Sequence, residues 1–115
     1  MLTLPIKKKW FDMILSGEKK EEYREIKPYY TTRFTRNLPT LDYVIIGTHS
    51  KGKTLLSSFP IILRNGYSKN SPSIKCNVVL EVNYGVEEWG AEPNKLYYVL
   101  KILSVEKVGD DNDNL

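Results

Sequence analysis

Cysteine and histidine are nearly missing from this chain of 115 residues, which holds one of each, Cys76 and His49. A lone thiol cannot close an internal disulfide, and two such residues are too few for a Cys/His zinc site. A Cys–His pair could be formed only by these two with each other. Long apolar runs are missing as well. The longest, Tyr43–Gly47 and Phe59–Leu63, are strand-sized and far below the roughly 18 residues of a membrane span. Near the N-terminus the lysines at 7–9 follow the apolar residues, the reverse of a signal peptide. No internal repeat or low-complexity core is present. These absences exclude a secreted disulfide scaffold and a helical membrane protein. They set the expectation of a cytoplasmic protein with no membrane partner, no metal and no cofactor.

What is present is an ordinary globular composition. Hydrophobic residues make up 41% and charged residues 27%, enough apolar material for one core at a length that suits one domain. The formal charge of +3 is unevenly spread. Three aspartates lie in the last seven residues, leaving 17 cations against 11 acids, or +6, on the rest. The chain thus reads as a domain over 1–108 followed by an acidic flexible tail over 109–115. A basic body favours a polyanionic partner, nucleic acid above all, although a lysine-rich solvated surface has the same composition.

Periodicity supplies the elements. Met1–Leu4 is a short apolar segment, and Pro5 suits the first turn of a helix over 5–16. Ile6, Trp10, Met13 and Ile14 fall on one face of that helix, which places Lys7 on a flank away from the charged residues at 19–25. Gly17 suits a left-handed stop. Lys19–Glu25 reads as a charged strand, and Pro28 opens a second helix running to Arg36. Strands are expected at Leu41–Gly47 and Phe59–Leu63, with a polar loop between them over Thr48–Ser58. The clearest strand alternates from Ile74 through Cys76, Val78, Leu80 and Val82 to Tyr84. A β-rich segment, Lys95–Val108, comes after the loop that contains Trp89. Two N-terminal helices followed by strands predict a small α+β domain on a curved sheet or barrel, with Trp10, Ile14, Val78, Leu80, Val82 and Val99 inside. Cys76 belongs to the apolar side of its strand, as an inert core thiol.

Two motifs carry chemistry. Gly47-Thr-His-Ser-Lys-Gly52-Lys53-Thr54 fits the phosphate-loop pattern, but Pro60 interrupts the helix such a loop must feed. A solvated surface loop is the expectation there. The second motif, Gly17-Glu-Lys19-Lys-Glu-Glu22-Tyr-Arg24, fits G-x-K-x-x-E-x-R. On a strand Glu22 and Arg24 share a face, and Lys19 stands at the turn before it. A carboxylate between an ammonium and a guanidinium can orient the arginine fork toward a phosphate or a base edge. A charged edge strand has the same letters. The tips of Lys19 and Arg24 are expected to be solvated, so that their removal changes stability little.

The octapeptide after an amphipathic helix resembles the signature of the ASCH domain, a PUA-like β-barrel family linked to RNA and found in small bacterial and phage proteins. Leu2-Thr-Leu-Pro-Ile, the helix Trp10–Gly17, Arg64-Asn-Gly-Tyr67, Glu88-Trp89-Gly90 and Tyr97-Tyr-Val-Leu100 extend the resemblance over about residues 1–108. It implies a cleft lined by Lys19, Glu22 and Arg24, with Arg64, Asn65 and Tyr67 across from them. Trp89 and Tyr23 would be stacking platforms for a base. Tyr29 and Tyr30 would touch the ligand or cover the barrel end. The implied function is RNA or nucleotide binding. Some ASCH-like proteins are hydrolases, among them an amidohydrolase acting on N4-acetylcytidine. That branch matches Gly17 and Lys19 but has threonine where this chain has Glu22. Ribonuclease activity is associated with the family too. A metal-independent hydrolase would use Lys19 and Glu22 as catalytic candidates with Arg24 at the oxyanion. A protein-interaction module, with the basic face meeting an acidic protein, is the third class.

Overall fold

Inward and outward residues alternate through most of the chain because most of it is strand. The computed structural model describes residues 1–37, 53–54 and 58–108. In chain order the elements are β1 (Leu2–Pro5), α1 (Lys8–Leu15), β2 (Glu21–Arg24), α2 (Pro28–Arg36), β3 (Lys53–Thr54), β4 (Phe59–Arg64), β5 (Ser73–Tyr84) and β6 (Leu96–Val108), with a 3-10 turn at Glu87–Trp89. The sheet runs β1-β4-β5-β6-β2, and β3 pairs with β5 near Val82. Among the described strands only β1 and β4 pair in parallel; the other pairings are antiparallel. The result is a curled mixed sheet, a half-barrel, with two helices. One extra residue of β6, Leu103, stands opposite the Asn77/Val78 step, and such a bulge bends its strand and strengthens the twist. No helix among the described residues is long and apolar enough to cross a membrane.

The concave face holds the core. Ile74, Cys76, Val78, Leu80 and Val82 of β5 meet Ile61 and Leu63 of β4, Leu2 and Leu4 of β1, Phe11 and Ile14 of α1, and Phe34 of α2. Cys76 is buried there, and burial pushes its thiol up to about 11. Val99 is also buried, but in a smaller cluster with Tyr97 and Ala91, against which Tyr23 packs. Trp10 is only half-buried, at the rim of the main core, and the fully inserted aromatic of α1 is its neighbour Phe11.

Pro5 does not open α1. It ends β1, opposite Arg64 of β4, a position where its missing N–H is harmless at a sheet edge. The helix therefore starts at Lys8, shorter than the 5–16 expected from the sequence. The expected strand at Leu41–Gly47, most of the loop over Thr48–Ser58 and the acidic tail at 109–115 lie outside the described residues. Of the phosphate-loop pattern, Lys53 and Thr54 lie in β3, antiparallel to β5. A phosphate loop needs a helix to begin there, so that reading fails.

Candidate functional site

The turn after α1 decides where the motif begins. Gly17 takes a left-handed backbone with φ +87°, which a residue without Cβ adopts freely. Its N–H returns to the Ile14 carbonyl at 3.1 Å, and the Lys19 N–H returns to Met13 at 2.9 Å. The chain is thus turned into β2 with Lys19 already pointing inward. β2 then alternates, burying Glu22 and Arg24 while Glu21 and Tyr23 face the other way.

The expectation of solvated tips is overturned. Lys19 is 2% exposed, Glu22 6% and Arg24 8%. Glu22 is shared: Oε1 lies 3.3 Å from Lys19 Nζ, while Oε2 accepts from Arg24 Nε at 3.1 Å and Nη2 at 2.7 Å. Lys19 Nζ also donates to the Trp89 backbone carbonyl and lies 5.0 Å from the Trp10 ring centre and 4.7 Å from that of Tyr23. Two oxygens and two aromatic faces replace its water, a cation–π arrangement strengthened by burial. Desolvation lowers the Lys19 pKa from its ordinary 10.5, and Glu22 opposes that shift. A strand rich in lysine and glutamate reads as an edge in contact with water. Here the core closes over its inward side because every charge on that side has a partner.

Arg24 does more than pair with Glu22. Its Nη2 donates to the Pro5 carbonyl at 2.7 Å and its Nη1 to the Tyr30 hydroxyl at 3.3 Å. Pro5 ends β1 and Arg24 ends β2, the two outermost strands of the sheet. One side chain therefore clasps the open edges of the half-barrel. Among the described residues, partners engage four of its five guanidinium N–H groups. Beside this seam lies a groove of about 490 Å³. Lys7, Trp10, Tyr23, Lys27 and Tyr30 line it together with Glu22, Arg24 and Glu25. Lys7 thus belongs to the groove and not to a remote flank.

The remaining expected site residues scatter. Asn65 and Tyr67 line a separate hollow that shares Pro5, Ile6 and Lys7 with the groove, and Tyr67 is 95% exposed. Arg64 lines neither. Its hollow is formed with the β4–β5 loop. Trp89 enters through its backbone carbonyl. Tyr23 is pinned: its hydroxyl accepts from the Val86 N–H and donates to Glu21, both at 2.8 Å, and burial raises its pKa. Tyr29 lies half exposed under the Arg33 guanidinium, 3.4 Å from the ring centre, while Tyr30 is the one that reaches the motif.

The segment 85–91 closes the lysine box from outside. Gly85 lies against Tyr23 and Ala91, and Gly90, at φ +104°, against the Trp10 ring. The two glycines bracketing Trp89 were the available signal for this close approach. Among the described residues no group of three or more His, Cys, Asp or Glu side chains is placed to hold a metal ion. Comparison with models of protein families, with curated proteins and with solved structures finds no match to this chain.

Proposed function

We propose that the chain is an ASCH-type, PUA-like domain that binds RNA or a nucleotide in the groove beside the β1–β2 seam. The observation that supports this most is the composition of that groove. Lys7, Arg24 and Lys27 outnumber Glu22 and Glu25, and Trp10, Tyr23 and Tyr30 supply rings. Cations that track phosphates and rings that accept bases are what single-stranded nucleic acid requires. The buried triad has two cations and one carboxylate, a net positive charge, and of its two cations Arg24 is the one that lines the groove. Lys19 acts from behind, holding Glu22 in place. It is a positioning residue, because its ammonium does not line the groove.

The hydrolase reading draws on the lowered Lys19 pKa. An ammonium enclosed by a carboxylate, a carbonyl and two rings is poorly placed to exchange protons with a substrate, which favours binding over chemistry. An acidic protein partner would give a salt dependence but no preference among bases.

Titration of Trp fluorescence with a short single-stranded RNA over a range of salt tests the reading. Lys7→Ala and Lys27→Ala should each weaken binding and flatten the log–log salt slope by about 0.7. Lys75, paired with Glu106 and outside the groove, is the control. Equal losses from Lys75→Ala and Lys7→Ala would reduce the groove to part of a diffuse basic field and sink the proposal.

A further inference from the structure

The β4–β5 hairpin carries a second cationic hollow that shares no lining residue with the seam groove. Its volume is about 610 Å³, within the size range of small-molecule sites. Arg64, Lys69 and Lys107 supply cations, Phe11, Leu15 and Pro72 supply apolar wall, and among the described residues no acidic side chain lines it. Arg64 and Lys69 bring positive potential to this depression.

Arg64 is the residue held in position. Its Nε donates to Ser73 Oγ at 3.2 Å, and that hydroxyl donates to the Ser71 carbonyl at 3.0 Å. Its two Nη groups have no hydrogen-bond or ion-pair partner among the described residues. The guanidinium is half-buried, anchored on one side and open on the other. That leaves the end of the fork that pairs with two phosphate oxygens. The loop behind it is tied to itself. The Asn65 N–H bonds the Pro72 carbonyl and the Ser71 N–H the Ser68 carbonyl, both at 2.9 Å. The Ser68 and Asn70 N–H groups bond the Ser71 and Ser68 hydroxyls. The loop is therefore preorganised by its own polar groups, and the open end of the Arg64 fork is not used by it.

The geometry points to a phosphate-binding site at the base of the β4–β5 hairpin, taking a phosphate ester whose organic part lies on the Phe11–Leu15–Pro72 wall. The ester can be a free nucleotide or the terminal phosphate of an RNA. This site does not depend on the seam groove.

Calorimetry of the full chain with inorganic pyrophosphate, with adenosine monophosphate and with an RNA oligomer bearing a terminal phosphate tests it. Arg64→Ala should weaken all three by about tenfold or more, the scale of a lost charge-assisted pair. Arg64→Lys should recover only part, because the fork is lost. Lys69→Ala, on an exposed loop position, should weaken binding by about threefold without touching the fold. Tighter binding of the monophosphate than of pyrophosphate assigns the wall to a nucleoside, and still tighter binding of the oligomer assigns the site to RNA ends. Binding that does not depend on Arg64 overturns the site. So does absence of binding both in this chain and in the Asp110→Asn, Asp111→Asn, Asp113→Asn variant, in which the acidic residues following Lys107 are neutral.

Discussion

Glu22 holds two cations that water no longer reaches. Removing it as Glu22→Ala leaves Lys19 and Arg24 buried and facing one another. The expected cost is roughly 3–5 kcal/mol, a large part of the 5–15 kcal/mol that holds a small domain together, and urea denaturation measures it. Lys19→Met is the informative contrast, since it keeps the volume and removes the charge that must be desolvated. Its pH dependence has a definite sign. The Lys19 pKa is lower in the folded chain than the ordinary 10.5, with desolvation the main cause. Below the folded pKa both states hold the proton and the desolvation cost stands in full. As pH rises from there toward 10.5, the folded chain releases its proton first and the cost is relieved. Stability relative to Lys19→Met should therefore rise with pH through the alkaline window below 10.5. The Cys76 thiol acts in the opposite sense between 9.0 and about 11, but it is common to both chains and cancels in the difference. Denaturation midpoints that stay parallel, or a difference that falls with pH, would contradict the buried ammonium.

Among the elements, β2 and the segment 85–91 depend on one another. A Cβ on Gly85 would stand 2.6 Å from that of Ala91 and 2.7 Å from the Tyr23 ring. Gly85→Ala should then cost about 1–3 kcal/mol, as overpacking does, and should perturb the near-ultraviolet dichroism of the tyrosines. A variant as stable as the parent would mean that the segment yields. Much of this layer was legible. The alternation from Ile74 gave β5, Pro28 gave the start of α2, and Gly17 gave the stop of α1, because each rests on a local constraint. The residues of the motif were legible as well, but their burial was not. Partners of Lys19 come from Trp89, and a partner of Arg24 comes from Pro5, contacts no local pattern reports. The same applies to Pro5, which is a good helix opener by propensity and was drawn into a strand by β4. Arg64 was grouped with the motif by resemblance, yet the β4–β5 loop gives it a hollow of its own.

At the level of the whole molecule, the strands pair largely across long stretches of chain. β1 waits for β4 and β2 for β6, and β3 pairs with β5; among the described strands only β4–β5 and β5–β6 join neighbours in sequence. The clasp between Arg24 and Pro5 joins edge strands whose sheet partners all come later in the chain. Such long-range pairing slows folding, because loops must close before contacts reward them. On a ribosome the same order becomes a matter of time. At roughly 5–20 residues per second, β6 follows β2 by several seconds. Through that interval Lys19, Glu22 and Arg24 are ordinary hydrated charges on an unpaired segment. Their hydration keeps that segment soluble until the closing strand arrives, and what later serves as the buried clasp of the half-barrel first serves as the solubilising face of an unfinished chain.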